Sequence, residues 1–177
     1  MSTTETEHAG TTGVTDKSVA KRSPKSAKTL HFPVSGASFG AVYRMGVIER
    51  IHAIQQGIDA RNVGLLAKSM RRSKDRVAEM LGMSVTTIDR KAKQGDLLSQ
   101  EQSERLFGAA KLIGQVQTMV EESGDPQGFD AAQWFAEWLD TPLKALSGKP
   151  PACFMDTAEG RDLLSKLLAT AQSGAYV

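Results

Sequence analysis

The sequence predicts an all-α fold, and three observations carry that prediction. Apolar residues recur every three or four positions over long stretches, as in Val42, Met45, Ile48, Ile51 and Ile54. Residues that start and stop helices punctuate the chain at short intervals, among them Ser73, Ser84, Gly95 and Ser99. No segment shows the period-two alternation of a half-buried strand.

Taken in order, residues 1–35 are rich in Thr, Ser, Lys and Gly, with almost no large apolar residue, and are expected to form a disordered basic arm. A domain of helices is expected over 36–122. Its first amphipathic helix spans Ser38 to Ile54, with Val47 and Ala53 widening the stripe. Asp59 is placed to cap a helix through Leu65, Leu66 and Met70, Ser73 one from Lys74 to Leu81, and Ser84 one from Val85 to about Gln94. Gly95 stands where a C-terminal cap belongs. Ser99-Gln-Glu-Gln102 is a capping box opening a long helix whose apolar positions run from Leu106 to Val120. The breaker SGDPQGFD, Ser123 to Asp130, sets a boundary, and a second helical domain is expected over 123–177. There AAQWFAEWL forms one helix, Thr141-Pro142 reads as a cap and first-turn proline, and Asp156 or Thr157 caps a last helix bearing Leu163, Leu164, Leu167 and Leu168. Gly174 is placed to close it.

Composition excludes several classes. Hydrophobic residues at 40% and charged residues at 24% are ordinary for a soluble globular chain. No apolar run approaches 18 residues, so no membrane span is expected, and the N-terminus lacks the pattern of a secretory signal. A single cysteine, Cys153, fits a cytoplasmic setting and is expected as a small buried hydrophobe. His8, His31 and His52 are too scattered for a metal site, and there is no phosphate loop or catalytic constellation, so neither cofactor nor enzymatic activity is expected. The net charge of +2 conceals a split. Residues 61–93 carry nine Lys/Arg against three acidic residues, whereas 94–177 carry six basic against twelve acidic. The first segment suits phosphates and the second does not.

Val77 to Arg90, VAEMLGMSVTTIDR, meets the positional demands of a helix-turn-helix. Ala78 is small where the second helix crosses the first. Gly82 allows the turn a positive φ. Ile88 plugs the second helix into a core shared with Val77, Leu81 and Met83. In that register Val85, Thr86, Asp89, Arg90 and Lys93 face outward, placed for a major groove. Arg90 suits a guanine edge or phosphate, Thr86 a phosphate or thymine methyl, and Lys74, Arg76, Arg71 and Arg72 the DNA backbone. Two residues sit uneasily: Lys91 occupies a usually apolar position, and Asp89 puts a negative charge on the reading face.

GMSVTTIDRKAKQGDLLSQEQSERLFGAAKLIG, Gly82 to Gly114, resembles the Xre-like helix-turn-helix of the Xre/MbcA/ParS antitoxins. Trp138-Leu139, Thr141-Pro142, Leu146, Gly148, the prolines at 150 and 151, Asp156-Thr157, Gly160, Leu167-Leu168 and Gly174-x-Tyr176 resemble the toxin-binding domain of the same family. The resemblance covers about residues 60–177. It implies the antitoxin of a bacterial type II toxin–antitoxin pair: a homodimer that blocks a RES-type, NAD⁺-destroying toxin and represses its own operator DNA. It also implies toxin contacts at Gly174, Ala175, Tyr176 and Val177, with Trp138 and Gly160 among the matched positions of the toxin-binding domain. The residues themselves agree, since Tyr176 offers an apolar face and one polar handle to a concave site, and the acidic second half suits a basic enzyme mouth. A stand-alone regulator and a neutraliser whose helix-turn-helix only packs stay open beside it. The stripes of the Ser38–Ile54 and Gln100–Glu121 helices are expected to supply dimer contacts.

Overall fold

The computed structural model describes residues 39–124 and 126–172. These fold into eight α-helices: α1 (Phe39–Arg44), α2 (Val47–Gln56), α3 (Arg61–Ser69), α4 (Lys74–Met80), α5 (Val85–Gln94), α6 (Gln100–Ser123), α7 (Ala131–Asp140) and α8 (Ala158–Gln172). Two 3-10 turns, Lys144–Leu146 and Pro151–Phe154, join α7 to α8, and no strand occurs among the described residues. The arm expected over 1–35 and the tail Gly174–Val177 lie outside the described residues.

The spine is α6, and its start is fixed locally. Ser99 Oγ accepts from Gln102 N at 3.2 Å while Gln102 Oε1 accepts from Ser99 N at 3.1 Å, so the capping box forms as read. Both long faces of α6 are apolar or small, and α1, α2, α7 and α8 all pack onto it. Leu106, Phe107, Ala110, Ile113 and Val116 are buried in a single core that runs from Phe39 to Leu168. Apart from Ala110, each such side chain is worth roughly 1.5–3 kcal/mol on leaving water. Polar ties supplement the core. Ser103 Oγ accepts from Ile58 N at 3.0 Å. Gln115, buried on α6, donates to Ser165 O at 2.9 Å and accepts from Ser165 Oγ at 2.7 Å, which joins α8 to the spine.

Three local expectations need correction. The helix expected over Ser38–Ile54 is two helices, parted at Met45–Gly46. Gly46 takes an extended backbone with φ −60° and ψ 148°, a cheap break that lets Val42 of α1 and Ala53 of α2 both reach the core. In consequence Val47, Ile48 and Ile51 stand out in solvent, 60%, 66% and 43% exposed. The stripe of α6, by contrast, is mostly buried under the chain's own helices α1, α2, α7 and α8. Thr141 ends α7 instead of starting a helix: its hydroxyl donates to Glu137 O at 3.0 Å, and only a 3-10 turn follows Pro142. Cys153 is exposed on the Pro151–Phe154 turn, not buried.

Candidate nucleic-acid interface and toxin-binding face

The segment α4–turn–α5 has the geometry of a helix-turn-helix. Ser73 Oγ accepts from Arg76 N at 3.1 Å and Ser84 Oγ from Thr87 N at 3.4 Å, so both helices start at the serines that cap them. Val77, Ala78, Leu81, Met83 and Ile88 are all buried. Gly82 has φ +63°, the left-handed conformation for which glycine is suited. A Cβ there would also lie 2.6 Å from Arg105 Nη1. Arg105, on α6, donates to the carbonyls of Leu81 at 3.0 Å and Gly82 at 2.8 Å, and Glu101 holds its other nitrogen at 2.5 Å. The turn is therefore clamped from the spine, a role with no signal in the α4–α5 sequence.

Thr86, Arg90 and Lys93 project from α5 into solvent, spaced four and three residues apart on one face. Arg90 Nη1 donates to Gln94 Oε1 at 2.9 Å, an i,i+4 contact that a ligand can replace. Val85 is turned differently from the expectation: it is half-buried and packs against the core. The two uneasy residues have partners. Lys91 donates to Leu97 O at 2.8 Å, with its stem half-buried. Asp89 is ion-paired with Lys74, which removes its bare charge from the reading face and commits Lys74 within the motif. Arg76 and Arg72 both turn to Asp140, the last residue of α7.

The C-terminal unit presents aromatic surface. Asp130 caps α7 through Gln133 N at 3.0 Å. Along α7, Trp138 is half-buried, its ring 5.7 Å from Phe135 and 6.3 Å from Trp134, the latter pair inclined by only 12°. Phe129 continues the row at 6.3 Å from Trp134, and both are exposed. The i,i+4 spacing of Trp134 and Trp138 is the signal that would have placed the two rings side by side. Gly160 is buried on the inner side of α8, where a Cβ would collide with the Phe154 carbonyl. The structure thus gives Gly160 a packing duty. Nearby, Arg161 is buried and donates to Met155 O at 2.9 Å while pairing with Glu104 of α6.

Two family models match the chain in the order of these two units. Residues 49–111 match the antitoxin Xre-like helix-turn-helix domain, and residues 127–174 match the antitoxin Xre/MbcA/ParS C-terminal toxin-binding domain. The chain is also 39% identical over 139 residues to the Prs ADP-ribosylating antitoxin of Sphingobium sp. (strain YBL2), which takes in 78% of this chain and 87% of that relative. The chain belongs to the Xre/MbcA/ParS antitoxin family. It is accordingly the antitoxin of a toxin–antitoxin pair, with a toxin as partner of its C-terminal domain. In this antitoxin the helix-turn-helix lies within the first matched unit and the α7 aromatic row within the second. No helix among the described residues is long and apolar enough to cross a membrane.

Proposed function

We propose that this antitoxin neutralises a RES-type toxin that splits NAD⁺, by laying its C-terminal residues Gly174–Val177 over the toxin's active site. It acts in the cytoplasm by binding alone, with no chemistry or cofactor of its own. The observation that carries the reading is the family match to a toxin-binding domain over 127–174, reaching the start of that tail. The name of the Sphingobium relative links such an antitoxin to ADP-ribosylation, a reaction that breaks the nicotinamide–ribose bond of NAD⁺ and passes ADP-ribose to an acceptor. An NAD⁺-destroying toxin breaks the same bond with water as acceptor, so both fit one active-site chemistry. Removal of residues 174–177 is expected to abolish rescue of cells expressing the toxin while leaving DNA binding intact. Rescue by the truncated chain sinks the tail's role.

The second half of the proposal is repression of the antitoxin's own operon by a homodimer. Thr86, Arg90 and Lys93 on the open face of α5 support groove contact, and the exposed Val47, Ile48 and Ile51 of α2 supply an apolar face for a second copy. Replacing Arg90 and Lys93 by Ala is expected to weaken binding to promoter DNA and to flatten its salt dependence by roughly one log–log unit for each phosphate that is no longer neutralised. Unchanged slopes favour a second reading, in which the helix-turn-helix only packs. That reading draws on the internal pairing of Lys74, Arg72 and Arg76.

A further inference from the structure

We infer that Asp140, at the end of α7 in the toxin-binding domain, competes with DNA phosphate for Arg72 and Arg76 and so holds down the antitoxin's affinity for DNA. This rests on the DNA-binding half of the function proposed above. Asp140 Oδ2 lies 3.1 Å from Arg72 Nη2 and its Oδ1 3.2 Å from Arg76 Nη2, so one carboxylate serves two guanidiniums from the first helix of the motif and the turn before it. Sequence separations of 68 and 64 residues show that only the tertiary fold creates the contact.

A guanidinium offers a phosphate the same N–H donors that it offers a carboxylate. For Arg72 or Arg76 to reach a DNA backbone, the bond to Asp140 must exchange for one to phosphate. The three side chains are 31% (Arg72), 55% (Arg76) and 43% (Asp140) exposed, so their pairing is screened by water and sets a tuning effect, not a block. Exposure also means that the arginines can swing to a duplex without unfolding anything. Lys74, another cation assigned to the DNA backbone, is held by Asp89 inside the motif itself. Asp140 differs in coming from the other domain, and it makes DNA affinity depend on events at the end of α7.

The test uses the full-length antitoxin, Asp140→Asn, Asp140→Glu and Glu137→Gln, each bound to promoter duplex and to a scrambled duplex between 50 and 250 mM salt, about the range where phosphate contacts dominate. Glu137 is a carboxylate of the same helix that accepts from Gln133, not from an arginine, so its variant controls for net charge. Asp140→Asn is expected to bind both duplexes about three- to tenfold more tightly, with a slope about one unit steeper. Asp140→Glu and Glu137→Gln stay near the parent. In an Arg72→Ala/Arg76→Ala background the gain from Asp140→Asn disappears, because the cycle removes the groups that it frees. A folded Asp140→Asn protein with the parent's affinity and slope, or one matched by Glu137→Gln, overturns the competition while the DNA reading stands. If neither parent nor Asp140→Asn binds duplex at 50 mM salt, about the most permissive condition of the series, both readings fall.

Discussion

At the scale of single residues, the helix-turn-helix depends on Gly82. Its φ of +63° costs a residue with a side chain about 1–2 kcal/mol, and the added Cβ displaces the Arg105 guanidinium from two carbonyls. Gly82→Ala is therefore expected to lower stability by roughly 2–3 kcal/mol in chemical denaturation. A loss under about 0.5 kcal/mol contradicts this account. Asp59 and Arg61 make a separate, pH-dependent prediction. Hydrogen bonds from the Arg61 side chain, assisted by its backbone N–H and opposed by partial burial, hold the Asp59 carboxyl below its ordinary 3.8. A carboxyl depressed in the folded state contributes stability that is present above the unfolded value and lost as pH falls through the folded one. The difference in melting temperature between parent and Arg61→Ala should thus be steady near neutrality and shrink below about pH 3.8. A difference that grows on acidification rejects the assignment. The motif residues Ala78, Gly82 and Ile88 were legible because helix-turn-helix geometry constrains each locally. Arg105 was not, since it acts from α6 across 23 residues.

At the scale of elements, caps were the most readable feature. Ser73, Ser84 and Ser99 each accept the backbone bond expected of them, and Thr157 Oγ1 accepts from Gly160 N at 3.1 Å at the start of α8. Continuity was harder to read. The apolar stripe runs straight through Gly46, and only the demand that α1 and α2 both meet α6 breaks the helix there. The same break decides which apolar residues stay outside. Replacing Ile48 and Ile51 by Glu is expected to leave the fold intact, since both are exposed, and to shift the proposed homodimer toward monomer by light scattering. A dimer that persists assigns the interface elsewhere. At α8 the expectation is structural. Gly160→Ala forces the helix off the Phe154 carbonyl and should cost roughly 1–3 kcal/mol, as overpacking does. Toxin rescue should fall in proportion to folded protein, not independently of it.

For the whole molecule, α6 turns two matched units into one body. Arg161 with Glu104, Gln115 with Ser165, and Asp140 with Arg72 and Arg76 tie α7 and α8 to the spine and the helix-turn-helix. A single cooperative unfolding transition is expected, with fluorescence from Trp134 and Trp138 and helical circular dichroism melting together. Arg161→Ala leaves the Met155 carbonyl without its buried donor and should lower that common midpoint by an amount equivalent to about 1–3 kcal/mol. Two separated transitions in the parent contradict a shared core.

The sequence by itself determined the helical class, the caps, the helix-turn-helix register and the family resemblance, because each depends on residues close together along the chain. The tertiary structure alone decided which charges of the motif are free. Of the cations assigned to DNA, Arg71, Arg90 and Lys93 stay exposed, while Lys74, Arg76 and Arg72 are drawn to carboxylates. The physical reason is distance. Asp140 lies 64 residues from Arg76 along the chain and 3.2 Å from it in space, and nothing in local composition records that approach.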